Sequence, residues 1–135
     1  DYIVSMPEAT AWAQRQAKLN KANMLTESGD TEEATKIYEE LAQDITTDEG
    51  AESYYNLVAD KYRVGDYAAV EQMIYNMGEC GSMYWQAKAF LVLGDILVKQ
   101  DNKFQARATY QSIVDGYSPK DDGIVAEAER KIKAL

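Results

Sequence analysis

The sequence predicts an all-α protein: a solenoid of three stacked helix pairs followed by a capping helix. Its turn residues recur every 36 positions, at Gly29-Asp30, Gly65-Asp66 and Asp101-Asn102. At constant offsets after each turn, one position holds a small residue and two positions hold large apolar residues, and we call each set of three equivalent positions a column. Only two prolines occur in 135 residues. A period of this length is typical of stacked helix pairs, and we expect the stack to be right-handed. The columns are Ala34, Val70 and Ala106, then Tyr38, Ile74 and Tyr110, then Leu41, Met77 and Ile113.

We expect one domain over residues 1–135, with a first repeat unit at about 15–50. Its first helix is predicted from about Glu8 to Ser28, because Ser5-x-x-Glu8 with Pro7 is a typical helix start. Its second helix is predicted to begin at Asp30, with Glu33 completing a capping box. The predicted inner faces carry Trp12, Leu19, Ala22 and Leu25, then Ala34, Ile37, Tyr38, Leu41 and Ile45.

The second unit, at about 51–86, begins with a tyrosine-rich helix from about Glu49 to Val64. A shorter helix follows, capped by Asp66 and ending near Gly78. In the third unit, at about 87–120, the first helix has apolar rows on two faces, so it is predicted to be packed on most sides. Gly94 in this helix costs about 1 kcal/mol of helix propensity relative to Ala, which favours the close approach of another backbone there.

The last helix, at about 122–135, differs from the others because its apolar residues form a single stripe. One apolar face and one charged face are typical of the end cap of a repeat array. The stripe is Ile124, Val125, Ala128, Ile132 and Leu135, and the charged residues are Glu127, Glu129, Arg130, Lys131 and Lys133.

These columns resemble those of the tetratricopeptide-repeat (TPR) family, with two extra residues per unit, over about residues 15–135. The resemblance rests above all on Phe90, Leu93, Gly94, Leu97, Ala106, Tyr110, Ile113 and Pro119, then on Tyr54, Leu57, Gly65, Asp66, Tyr67 and Ile74, and on Ala22, Leu25, Gly29, Ala34 and Tyr38. Residues 82–96 and 105–117 also resemble the C-terminal end of long TPR proteins from Bacteroidetes. The resemblance implies a bacterial scaffold that binds other proteins, located in the cell envelope or periplasm.

Composition excludes several classes of partner. The net charge is −9, and no cluster of Lys and Arg is present to displace counterions from nucleic acid or to bind an anionic membrane surface. The apolar run Phe90–Leu93 is far shorter than the roughly 20 residues that span a bilayer, so we expect no membrane insertion by this segment. Because Asp1 is not a natural start, we expect a piece of a longer protein. Its apolar N-terminal residues, Tyr2, Ile3, Val4 and Met6, fit either of two alternatives: a frayed terminus, or a segment that stacks on upstream repeats.

The sequence lacks the residues that most catalytic and metal sites need. It contains no histidine, which excludes Ser-His and Cys-His nucleophile systems and histidine-ligated metals. Cys80, the only cysteine, lies in a predicted turn without a nearby cation, which favours an inert thiol. Adjacent acidic residues on a helix point about 100° apart and do not converge on one atom. We therefore predict a non-catalytic protein without a cofactor or metal.

The first helices of the three pairs are predicted to line a concave groove that binds a polypeptide. Tyr and Arg are favoured at such surfaces because they combine large area with hydrogen-bonding ends. Some TPR proteins hold a C-terminal carboxylate with five side chains from successive first helices. At the matching positions of this sequence, Asn23, Asn56 and Lys88 are the same residue types as in those proteins, whereas Leu19 and Val92 stand where those proteins have cations. The predicted groove residues are Asn23, Tyr55, Asn56, Tyr62, Arg63, Lys88, Asp95 and Lys99.

Two classes of function remain open at this point. The first is a protein-interaction module that docks a polypeptide in the groove, with Arg63 pairing an acidic group of the partner and Asp95 a basic one. The alternative is a structural spacer or assembly segment, whose repeats only fix distances within a longer repeat protein. A groove of aromatic and polar groups favours binding, and contacts through the Tyr2–Met6 end favour the spacer.

Overall fold

A computed structural model describes the backbone of residues 2–135 and the side chains of residues 10–135. The described chain forms seven α-helices and no strand, which confirms the all-α prediction. The helices are α1 (Tyr2–Ser28), α2 (Thr31–Leu41), α3 (Asp48–Arg63), α4 (Tyr67–Tyr75), α5 (Met83–Lys99), α6 (Lys103–Gly116) and α7 (Ile124–Lys133).

The helices pack in chain order. Each of them contacts the next one along the chain, and α1, α3, α5 and α7 also contact one another in sequence. Within the described part of the chain, α2, α4 and α6 make no such contacts among themselves. The odd-numbered helices therefore form a continuous series, and each even-numbered helix packs against the odd-numbered helices before and after it.

The residues of the predicted repeat columns form the core. All nine of them are buried, from fully enclosed Val70 to Leu41 at 7% exposure. A small cluster joins α1 and α2, and a larger one runs from α3 to α7. Leu57 of α3 packs against the small cluster while Val58 belongs to the large one, so α3 links the two.

The recurring turn is a helix C-cap in the left-handed conformation. Gly29, Gly65 and Asp101 have φ of 93°, 86° and 59°. The amide after each of them donates to the carbonyl five residues earlier, as in Asp30 N to Leu25 O at 2.8 Å. This is the bonding of a Schellman cap, in which glycine adopts a positive φ without steric cost. The spacing of 36 residues is thus the spacing of identical chain reversals.

Several local predictions require correction. The first helix begins at Tyr2 and not near Glu8. The Asp30–Glu33 capping box is not formed, because the Asp30 carboxylate accepts a hydrogen bond from Ser28 Oγ at 3.3 Å and caps no helix amide. The predicted cap at Asp66 is present, since its carboxylate accepts from Ala69 N.

Trp12 was predicted to be buried but is 55% exposed. Arg15 and Gln16 contact Glu49 in the first turn of α3, so α1 continues beyond the start of that helix. Residues 2–14 extend the helix by about 20 Å, and the other helices do not cover the Trp12 ring. The side chains of Tyr2, Ile3, Val4 and Met6, the predicted stacking end, lie outside the described residues.

The neighbour of Gly94 is a side chain and not the backbone that its position predicted. A Cβ atom on Gly94 would lie 2.2 Å from Cε1 of Tyr110, in the partner helix of the same pair. Tyr110 is itself 1% exposed, so its ring is enclosed. The glycine therefore makes room for an aromatic ring between α5 and α6.

The apolar stripe of α7 covers the end of the large cluster as predicted. Ile124, Val125 and Ala128 are buried, and Ile132 and Leu135 pack against the cluster. Glu127 and Lys131, which were predicted on the charged outer face, are half-buried. The two faces of α7 are thus less sharply divided than the sequence indicates.

Candidate functional site

The predicted groove residues all lie on α1, α3 and α5. We call the surface that they form the α1–α3–α5 face: Asn23 on α1, Tyr55, Asn56, Tyr62 and Arg63 on α3, and Lys88, Asp95 and Lys99 on α5. Arg63 and Lys99 are exposed, and the other six are half-buried. Leu19 and Val92, at the two positions where cations are replaced, are buried at 6% and 9% exposure and belong to the core.

Aromatic rings from α3 and α5 surround the ammonium group of Lys88. Its Nζ lies 5.5 Å from the ring centroid of Tyr55 and 5.7 Å from those of Tyr84 and Trp85. The Tyr55 and Trp85 rings are 5.2 Å apart, and Tyr84 meets Trp85 edge-on at 4.9 Å. A cation over an aromatic face gains about 0.5 to 1 kcal/mol at an exposed site. This aromatic cluster holds Lys88 in place, although no carboxylate of the described residues pairs with it.

Tyr84 and Trp85 were not among the predicted site residues. Both precede Lys88 by one helical turn, at i−4 and i−3, and residues at that spacing are neighbours on a helix surface. The sequence thus held a signal for the cluster within α5. No sequence signal indicated that Tyr55 of α3 packs against these residues. Burial raises the pKa of the Tyr55 hydroxyl.

Asp95, which is predicted to pair with a basic group of a partner, already has partners within the chain. Lys131 Nζ of α7 donates to Asp95 Oδ1 at 2.9 Å, and Tyr110 donates its hydroxyl to the same oxygen at 2.5 Å. Burial and the Asp95 carboxylate together raise the pKa of Tyr110 far above its usual range. Asp95 therefore ties α5 to both α6 and α7.

A cavity of about 340 Å³ opens beside this network. Tyr62 and Lys99 line it together with Asp95, Tyr110 and Lys131. The Tyr62 ring also packs against Tyr67, with centroids 5.6 Å apart, and burial raises the pKa of its hydroxyl. Lys99 makes no ion pair with any described residue, so it brings an unpaired positive charge to the cavity.

The two remaining α3 residues are partly engaged. Arg63 pairs with Asp60 on its own helix while its side chain stays 70% exposed. Asn56 Nδ2 donates to the carbonyl of Glu52 at 3.1 Å. The positive charge of Arg63 is therefore already paired on its own helix, and the Asn56 amide nitrogen is already bonded to the backbone.

The α1 side of the face is organised around Asn23 and Glu52. The buried Tyr38 donates its hydroxyl to Asn23 Oδ1 at 2.6 Å, which fixes the amide. Burial raises the pKa of the Glu52 carboxyl, the Asn23 amide opposes that rise, and the charge of Glu49 adds to it. No sequence pattern singles out Glu52, because its surroundings depend on the packing of α1 against α3.

The described residues give no sign of a metal site or a membrane span. Among residues 10–135, no three His, Cys, Asp or Glu side chains converge as metal ligands. None of the described helices is long and apolar enough to cross a membrane. No protein-family model, curated protein or solved structure significantly matches the chain.

Proposed function

We propose that this chain is a non-catalytic interaction module that binds an extended polypeptide along the α1–α3–α5 face. We further propose that its helices form a right-handed TPR-like solenoid, with the pairs α1–α2, α3–α4 and α5–α6 and the cap α7. The repeated Schellman turns, the nine buried column residues and the contacts among odd-numbered helices support this architecture.

One observation carries the functional proposal: the aromatic cluster of Tyr55, Tyr84 and Trp85 around Lys88. Such a cluster combines large contact area with a held cation that has no carboxylate partner among the described residues. Aromatic residues with hydrogen-bonding ends supply much of the binding energy at protein interfaces. Amide groups such as that of Asn56 can bond the backbone of an extended peptide while the rings cover its side chains.

A peptide selection tests the proposal. Peptides are selected from a random display library on the wild-type protein, and their Kd is measured by fluorescence anisotropy on purified variants. Tyr55→Ala/Tyr62→Ala removes two rings of the face, whereas Tyr75→Ala removes a 65% exposed ring from α4, outside the face. We expect the double variant to lose about 2 kcal/mol or more of binding, near thirtyfold in Kd, and Tyr75→Ala to bind as wild type.

The measurement is read only on variants whose melting temperatures stay close to that of the wild type. Undiminished affinity in the double variant would remove the α1–α3–α5 face as the binding surface. A library that yields no peptide for the wild type would have the same consequence.

The alternative, a spacer or assembly segment, is favoured by one feature of α1. Its N-terminal part projects beyond α3 and leaves Trp12 55% exposed. If this end mediates assembly, Trp12→Ala will weaken self-association in sedimentation equilibrium, and Tyr55→Ala/Tyr62→Ala will leave it unchanged. The two variants therefore separate the two functions.

A further inference from the structure

Glu52 differs from the other carboxylates on the inner side of the odd-numbered helices. Glu49 is 3% exposed and accepts from Arg15 Nε at 2.8 Å and from Gln16 Nε2 at 2.5 Å. Asp95 has Lys131 and Tyr110 as partners. Glu52 is half-buried, yet among the residues whose side chains the structure describes no Lys or Arg pairs with it. A half-buried charge without a counter-ion costs stability.

The surroundings of Glu52 are ordered before any partner arrives. Tyr38, at 4% exposure, holds the Asn23 amide by a hydrogen bond to its oxygen, and that amide lies beside the Glu52 carboxylate. On α3, Tyr55 and Asn56 follow Glu52 at i+3 and i+4, the spacing of neighbours on one helix face. The carboxylate is thus bordered on its α1 side by an amide that Tyr38 holds in place, and Tyr55 follows it by one turn on its own helix.

We propose that the Glu52 carboxylate receives an arginine side chain of the polypeptide bound on the α1–α3–α5 face, an inference that rests on the proposed function. A guanidinium fits because its planar fork pairs with a carboxylate through two hydrogen bonds, a geometry that an ammonium group cannot match. The net charge of −9 attracts a basic segment from solution.

Lys88 restricts where the arginine binds. Its ammonium lies over the Tyr55 ring from the α5 side, so it repels a second cation there. On the α1 side, the Glu52 carboxylate has the Asn23 amide as its neighbour. The face therefore accepts a positive group near α1 and a neutral or negative one near α5, which gives the bound segment a direction.

The experiment uses N-acetyl-arginine amide as the probe and N-acetyl-citrulline amide as its neutral counterpart of nearly the same shape. Both are titrated into ¹⁵N-labelled protein at neutral pH, and the amide shifts of residues 23, 52 and 55 are followed. Glu52→Gln removes the charge but keeps the size and the acceptor for Asn23. Glu39→Gln on α2 removes the same charge from an exposed position outside the face.

We expect saturable shifts with the arginine probe only, at least tenfold weaker binding to Glu52→Gln, and unchanged binding to Glu39→Gln. Equal binding of arginine and citrulline, equal binding by wild type and Glu52→Gln, or no saturable shift would overturn the inference. The peptide selection described above decides the proposed function separately. Selected peptides that lose affinity in Tyr55→Ala/Tyr62→Ala but not in Glu52→Gln would uphold the binding face and refute its arginine site.

Discussion

Replacing Gly94 by alanine tests how closely α5 and α6 are packed. The added Cβ would lie 2.2, 2.6 and 2.8 Å from three atoms of the Tyr110 ring. Contacts this short force the ring to move. Tyr110 is 1% exposed, and its hydroxyl is fixed on Asp95 at 2.5 Å, so the ring can move only by giving up that hydrogen bond.

The expected change in the free energy of unfolding combines one stabilising contribution with two destabilising ones. Alanine gains about 1 kcal/mol of helix propensity over glycine. Overpacking a core costs about 1 to 3 kcal/mol, and loss of a hydrogen bond to a charged group costs about 1.5 to 3 kcal/mol. We therefore expect Gly94→Ala to lower the free energy of unfolding by about 1.5 to 5 kcal/mol, and Gly94→Leu by more.

Urea unfolding followed by far-ultraviolet circular dichroism measures the effect. Gly78→Ala, in the turn after α4, is the control for an added methyl group without a close contact, because a Cβ there meets nothing within 4 Å. Cys80→Ser is a second turn substitution, expected to stay within about 0.5 kcal/mol. Tyr110→Leu, combined with Gly94→Ala, should recover at least about 1 kcal/mol relative to the sum of the single variants. A Gly94→Ala protein as stable as Gly78→Ala would refute the close contact.

Three further variants test the charged groups. Burial raises the pKa of the Glu49 carboxyl, but hydrogen bonds from Arg15, from its own backbone amide and from Gln16 outweigh burial, so the pKa is lowered below 4.5. The stability that Glu49 adds is therefore complete above pH 4.5 and is lost as pH falls. Glu49→Gln should lower the melting temperature at pH 7. Burial raises the pKa of the Glu52 carboxyl above 4.5, because burial disfavours its charged form. The protein therefore loses stability as pH rises through that pKa. Glu52→Gln should raise the melting temperature at pH 7 but not at pH 4. Lys131→Met, which leaves Asp95 without its cation, should cost about 1 kcal/mol at low ionic strength and less in 1 M salt, measured by urea unfolding.

The parts of the fold that sequence predicted are those with local signals. A chain reversal in the left-handed conformation needs glycine or a small polar residue, so Gly29, Gly65 and Asp101 marked the turns directly. Core positions such as Ala106 and Tyr110 follow at fixed offsets because a helix repeats its faces every 3.6 residues. The overhang of α1 had no such signal, since whether Trp12 is covered depends on where the neighbouring helices end.

The contacts of the candidate site depend on register between helices, which local patterns do not contain. Asp95 and Lys131 are 36 residues apart, which is the repeat period itself. Equivalent positions of adjacent units face each other in a regular stack, so the period could have predicted this pair. Glu52 offered no comparable signal, because an exposed and a half-buried glutamate look alike in a helical pattern.

The energetics of Glu52 bear on the choice between binding and spacing. Stabilising substitutions are common where a residue serves function at a cost to the fold. A spacer gains nothing from a half-buried carboxylate beside another one, and glutamine at position 52 would keep the helix and the Asn23 contact without the charge. Glu49 shows that this chain can supply an arginine to a buried carboxylate on the same helix, one turn away. An acid left without such a partner, next to an amide that Tyr38 holds in place, is expected if the cation comes from the bound polypeptide.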